Sequence, residues 1–133
     1  MENTSEHSFP QSLEENLKKA LTEMLVLHVL SAKDCYIGEL TEAIHTKSHG
    51  VLSIVFPYSA IYRLQQAGYL VESSKRTAPD GRRRQYYKIT KIGQQYLTQL
   101  KETYMRFSIG VAAVLAEEVD SNEQRVDSIP EKS

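Results

Sequence analysis

Between Tyr58 and Thr90 the hydrophobic rhythm of this 133-residue chain changes from that of a helix to that of a strand, reverses, and returns as strand. Ile61, Leu64 and Ala67 lie at helical spacing, and Gly68 stops the pattern as a C-terminal glycine does. Tyr69 to Ser73 then reads as a strand and Gln85 to Thr90 as its partner. The reversal is Pro79-Asp80-Gly81, followed at once by Arg82-Arg83-Arg84-Gln85-Tyr86-Tyr87. A helix running directly into a hairpin is the layout of a winged helix-turn-helix. Three adjacent guanidinium groups repel one another, which favours a site that meets an anion. DNA phosphate suits, because its neutralisation releases condensed counterions.

Upstream, residues 1–11 are polar and aperiodic and read as a flexible arm. A first helix is expected from near Ser12, with Glu14 and Glu15 favourable in its first turn. Leu17, Leu21, Met24 or Leu25, and His28 or Val29 share one face. The run Met24 to Leu30 is apolar nearly all round, which implies burial on more than one side. Ser31-Ala32-Lys33-Asp34 ends this helix, and Asp34 suits the cap of a second, on which Ile37, Leu40 and Ile44 recur at spacings of three and four. Ser48-His49-Gly50 interrupts, and Pro57 fits the first turn of a third helix, where a missing N–H costs nothing.

On that third helix Tyr58, Ser59, Tyr62, Gln65 and Gln66, with Arg63 at the edge, stand opposite the apolar face and can hydrogen-bond to bases or phosphates. It is the helix assigned to the major groove. Beyond the wing, Thr90 can cap a long fourth helix carrying Leu97, Leu100, Tyr104, Phe107, Val111, Val114 and Leu115 at helical spacing. About 25 residues of helix extend roughly 37 Å. The stripe beyond Leu100 therefore has nothing in its own chain to cover it, and dimerisation through Leu100, Tyr104, Phe107, Val111, Val114 and Leu115 is inferred.

Charge is segregated although the formal net is only -1. Lys75, Arg76, Arg82, Arg83, Arg84, Lys88 and Lys91 outweigh Glu72 and Asp80 across the wing, whereas both ends of the chain are acidic. The polar, acidic segment 118–133 reads as disordered. No apolar run approaches the roughly 18 residues of a bilayer span, and the N-terminus lacks the features of a signal peptide, so a cytoplasmic protein with no membrane association is expected. The lone Cys35 excludes an intrachain disulfide and a cysteine-based zinc site.

His45 and His49 stand four apart, but no second pair or carboxylate set completes a coordination sphere, so neither metal nor cofactor is expected. His28, on the apolar face of the first helix, reads as a core histidine. Tyr86 and Tyr87 alternate on a strand, so one faces inward and the other outward. The sequence offers no serine elbow, phosphate-cradling glycine loop or inward pair of carboxylates, and an enzyme is not expected.

The ordered set Arg63-Leu64, Gly68, Gly81-Arg82, Tyr86-Tyr87 and Ile89-Thr90 with Gly93 resembles the PadR family of bacterial transcriptional regulators, over roughly residues 17–107. The resemblance implies a homodimer with the C-terminal helix at its interface, operator binding near its own or a neighbouring promoter, and repression released by a small molecule. With one helix after the wing, the chain is similar to the shorter subgroup. Where many relatives carry tyrosine-glycine-tyrosine-glutamate-leucine, this chain has Tyr36-Ile37-Gly38-Glu39-Leu40. It also lacks the tryptophan that in some short relatives lines an apolar pocket at the dimer interface, leaving Tyr104 and Phe107 as aromatic candidates there.

The expected architecture is mostly α with a small β wing: a winged helix-turn-helix over 12–90, followed by a dimerisation helix over 91–117. The expected function is a homodimeric DNA-binding regulator, a repressor on an inverted-repeat operator relieved by a small-molecule effector. Ser59, Tyr62 and Gln66 are assigned to bases, and Tyr36, Tyr58, Arg63, Lys75, Arg82, Arg83, Arg84 and Tyr87 to the DNA backbone. The rival is a winged-helix module whose basic turn binds an acidic protein partner.

Overall fold

A computed structural model of the protein describes residues 2–54 and 57–117, with residues 2–10 described as backbone. Its elements are helices α1 (Glu2–Ala32), α2 (Ile37–Lys47) and α3 (Tyr58–Gln66), strands β1 (Leu70–Thr77) and β2 (Arg83–Ile89), and helix α4 (Lys91–Glu117). The chain divides into two compact units, residues 1–98 and 99–133. Among the described residues no helix is long and apolar enough to cross a membrane.

Helix α1 begins at Glu2 rather than near Ser12. Apolar periodicity locates the buried part of a helix and is silent on a polar turn that extends it. The segment 118–133, expected to be disordered, lies outside the described residues.

The core of the first unit is built from α1, α2, α3 and the root of the wing. Val26, Leu27, Val29 and Leu30 of α1 are buried, as the continuous apolar run implied, together with Leu40, Ile44, Ile61, Leu64, Leu70 and Leu97. Two residues assigned to this apolar face lie outside it: Leu17 is half exposed and His28 is exposed. Val29, the next position, takes the buried place, so His28 is not a core histidine. Ala67, expected inside, is exposed at the C-cap of α3, where the chain already turns away from the core.

Asp34 is not the cap of α2. Tyr36 holds that position without a side-chain cap bond, while the Asp34 carboxylate accepts hydrogen bonds from Ser73 at 2.9 Å and Arg76 at 3.1 Å, pinning β1 to the α1–α2 corner. Helix α3 ends as expected. Gly68 has φ 82°, its N–H reaches the Gln65 carbonyl at 3.0 Å, and the Tyr69 N–H reaches the Leu64 carbonyl at 2.9 Å, the double bond pattern of a left-handed glycine terminus.

The wing is longer than the sequence pattern suggested. β1 and β2 pair antiparallel from Leu70 against Ile89 to Thr77 against Arg83, with an irregularity between Glu72 and Lys75. The Gly81 N–H bonds the Ala78 carbonyl at 2.9 Å, and Gly81 itself has φ 86°, so the tip is a tight turn closed by a left-handed glycine. Cys35 bridges Tyr87 through two backbone bonds, adding a third chain segment to the hairpin.

Thr90 caps α4. Its hydroxyl accepts from the Gly93 N–H at 3.0 Å and donates to the Gly68 carbonyl at 2.6 Å, while its own N–H donates to the Tyr69 carbonyl at 3.0 Å. Gly93 packs so closely against Tyr69 that an added Cβ would collide with the Tyr69 carbonyl oxygen and lie 2.9 Å from Ile89 Cγ1. In the second unit α4 exposes Tyr104, Met105, Phe107, Ile109, Val111, Val114 and Leu115, while Leu100 is half-buried.

Gly93→Ala is expected to destabilise the protein by about 3 kcal/mol, because backbone rather than a flexible side chain must move, and denaturant unfolding measures the loss. Cys35 gives a pH test. Its buried thiol is pushed up from 9.0 to about 11, by burial first and then by the Glu39 charge. A raised folded-state value means the contribution is intact below pH 9.0 and is lost as pH rises towards 11. Relative to Cys35→Ala, the wild type should lose on the order of 2 kcal/mol across that window, read by unfolding at each pH.

Candidate nucleic-acid interface

Helix α3 separates its two faces cleanly. Ala60, Ile61 and Leu64 are buried and hold the helix on the core, whereas Tyr58, Ser59, Tyr62, Arg63 and Gln66 are exposed and Gln65 is half-buried. Tyr58 and Tyr62 keep 60% and 63% of their surface, far too much for core aromatics. The positions i, i+1, i+4, i+5 and i+8 make one continuous polar strip, the form that enters a groove.

The wing distributes its cations unequally. Arg82 and Arg83 are exposed, and neither guanidinium forms a hydrogen bond or close ion pair among the described residues. Arg84 is half-buried. Its Nη2 pairs with the Asp80 carboxylate at 2.7 Å, and its guanidinium lies 5.1 Å from the Tyr36 ring centroid. The Arg84 hydrogen bond, with the Arg82 backbone N–H, holds the Asp80 carboxyl below its ordinary range. Asp80 and Arg84 therefore stiffen the tip that presents Arg82 and Arg83. Lys75 is exposed on β1, opposite Gln85.

The tyrosine alternation resolves. Tyr86 is buried, meets Tyr36 edge-on at 5.4 Å between centroids, and carries the Arg76 guanidinium 4.1 Å above its ring. Tyr87 is half-buried and turns the other way. It lines a groove of about 370 Å³ with Tyr36, Tyr58, Thr41, Arg84 and Gln85, which joins the start of α2, the start of α3 and the wing. The structure thus gathers Tyr36, Tyr58, Arg84 and Tyr87 around one opening.

Arg63 has a different setting. Its Nε donates to Glu23 Oε2 at 2.6 Å and its Nη2 pairs with the same oxygen, so α3 is tethered to α1. Glu23 also faces Tyr96, whose hydroxyl is raised above its ordinary value by burial first and then by the Glu23 charge, and whose ring stacks on Tyr69 at 4.1 Å. A second cleft of about 290 Å³ beside Ser59 and Arg63 is lined by Lys18 and Lys19 of α1. Sequence reasoning missed these lysines because α1 was read for its apolar stripe alone. The adjacent pair was the available signal.

His45 and His49 do not share a helix face. α2 ends at Lys47, His49 takes φ 57° beyond it, and His45 Nδ1 lies 3.3 Å from the Ser53 hydroxyl. Among the described residues no group of three potential ligands is arranged to hold a metal ion.

Comparison with known proteins agrees with this geometry. Residues 26–99 match the Transcriptional regulator PadR-like family. A transcriptional regulator from Clostridium thermocellum is similar in structure with a TM-score of 0.65 and 25% identity, the match covering 74% of this chain and 96% of that one. A PadR-like transcriptional regulator from Bacillus cereus gives a TM-score of 0.64 at 23% identity over 75% of this chain and 96% of its own. A PadR family regulator from Eggerthella lenta gives 0.70 at 22% identity over 86% and 98%. No curated protein matches the chain. With the family match spanning the C-terminal end of α1, α2, the polar strip of α3, the wing and the start of α4, the chain belongs to the PadR-like family of DNA-binding transcriptional regulators, which are not enzymes.

Proposed function

We propose that the protein is a homodimeric repressor whose α3 helices read the two halves of an inverted-repeat operator while the wings grip flanking phosphate. The exposed strip of α3, together with the exposed Arg82 and Arg83 of the wing, carries this reading. Ser59, Tyr62 and Gln66 are the base readers, since a hydroxyl, a phenol and an amide can each hydrogen-bond to base edges. Tyr36, Tyr58, Lys75, Arg82, Arg83 and Tyr87 contact phosphate. Arg63 and Arg84, each held by a carboxylate, contribute charge from fixed positions.

The dimer is supported by α4, where Phe107, Val111, Val114 and Leu115 each expose more than half of their surface. Such a run on one helix favours a second copy over water, at about 25 cal/mol per Å² of apolar surface removed. Two-fold symmetry then sets half-sites roughly 34 to 36 Å apart. An effector lodged between the long helices near Tyr104 and Phe107 would trade DNA affinity for ligand affinity by linkage, and ligands that bind there without changing operator affinity would exclude it.

Fluorescence anisotropy against the DNA upstream of the protein's own gene tests the reading. The duplex should bind more tightly than a scrambled one, and Arg82→Ala with Arg83→Ala should weaken binding to both and reduce the salt slope by about 2. Equal and negligible binding to both duplexes would reject it in favour of a protein partner. Phe107→Glu should convert the dimer to monomer in analytical ultracentrifugation and weaken operator binding, leaving the unfolding of the first unit in place.

A further inference from the structure

The exposed strip of α3 has two edges. At about 100° per residue, Tyr58 and Arg63 lie about 140° apart, with Ser59, Tyr62 and Gln66 between them. The Tyr58 edge opens on the groove shared with Tyr36, Tyr87 and the wing. The Arg63 edge opens on the cleft of about 290 Å³ between α3 and α1, where Ser59 and Arg63 meet Lys18 and Lys19. Helix α3 is thus flanked on one side by the hairpin and on the other by α1.

The second flank carries positive charge that the fold does not use. No acid lines the cleft. Arg63 is matched by Glu23, whereas the ammonium groups of Lys18 and Lys19 form no hydrogen bond or close ion pair among the described residues. Glu14 and Glu15 precede the two lysines by one turn but lie outside the lining, and pairs of that kind on an exposed face contribute little. Lys19 is exposed and Lys18 half-buried. An ammonium group on a flexible four-carbon stem suits a point contact with an anion.

A helix about 10 to 12 Å across fills a major groove about 12 Å wide, so a row of phosphates runs along each of its edges. The contacts assigned to phosphate above lie on the wing or along the Tyr58 edge. They leave the row beside Arg63 without a cation free to reach it. We infer that Lys18 and Lys19 take this second row, so that α1 grips the DNA backbone across the major groove from Tyr58 and Tyr87. The inference rests on the DNA-binding reading and adds to it a grip from a helix outside the reading helix and the wing. Contacts to phosphate fix position and carry no sequence preference, so the lysines set how α3 sits in the groove rather than which bases it selects.

The test is anisotropy on the full-length protein carrying Lys18→Gln with Lys19→Gln, over a series of salt concentrations, on the upstream and the scrambled duplex. Both positions lie outside the core and glutamine is a good helix former, so fold and dimer mass should be retained, as unfolding and sedimentation check. Binding to both duplexes should weaken on the order of tenfold, and the salt slope should become shallower by about 2. Lys18→Arg with Lys19→Arg should keep the affinity and the slope of the wild type. Adding Arg82→Ala and Arg83→Ala to the glutamine variant should bring the loss of slope to about 4, since the two pairs meet different phosphates. Neutral methylphosphonates placed along the row beside Arg63 should weaken the wild type and leave the glutamine variant unaffected.

Unchanged affinity and slope in the glutamine variant, with the wing variant weakened, would overturn the grip and leave the regulator reading standing. Loss of binding that comes with loss of dimer mass would also overturn it. Inorganic phosphate that competes with DNA beyond its ionic strength, and only when the lysines are present, would reassign the cleft to a small free anion. Wild-type protein that binds neither duplex would remove the DNA reading itself and the grip with it.

Discussion

One hydroxyl holds the end of α3, the root of the wing and the start of α4 together. Thr90 Oγ1 donates to the Gly68 carbonyl at the end of α3 and accepts from the Gly93 amide in the first turn of α4, and the Thr90 N–H bonds the carbonyl of Tyr69, the residue before β1. Gly68 can accept only because its left-handed backbone swings that carbonyl towards the helix start. Gly93 can donate only because the absence of a side chain lets α4 approach Tyr69. An isolated two-stranded hairpin is marginal in water, so a wing must be staked from outside. Here the stakes are Thr90 at the root, the Cys35 bridge to Tyr87 along its length, and the Asp34 carboxylate holding Arg76 and Ser73.

What could be read from the sequence follows from the same distinction between local and distant partners. The glycine stop at Gly68, the Thr90 cap, the turn at Gly81 and the polar strip of α3 are set by neighbours a few residues away, and all were legible. The assignment of Asp34 to a helix cap failed because its partner, Arg76, is distant in sequence and competes better for the carboxylate. The three arginines of the wing are chemically identical in sequence. Only the fold shows that Arg84 turns towards Asp80 and Tyr36 while Arg82 and Arg83 do not. Tyr86 and Tyr87 could be told apart only by Tyr36, which comes from another element and packs on one face of β2.

Charge pairing also orders the cations of a chain of formal net charge -1. Arg63, Arg76 and Arg84 are each matched by an acid, Glu23, Asp34 and Asp80 in turn. Exposed pairs of this kind add little stability. Their larger effect is positional, since each long side chain fixed before binding is one fewer to immobilise during it. The Glu23 pair is the most consequential, because it holds an exposed position of α3 against α1 and places the same carboxylate beside Tyr96 at the foot of α4. The acid that pairs with Arg63 thus sets the attitude of α3 against α1.

Tyr36 lines two openings of the first unit. Its ring is wedged between the Tyr86 edge and the Arg84 guanidinium, a setting with few alternative arrangements. Displacing Tyr36 from this setting would give up one aromatic contact, about 1 kcal/mol, together with the cation–π contact of Arg84.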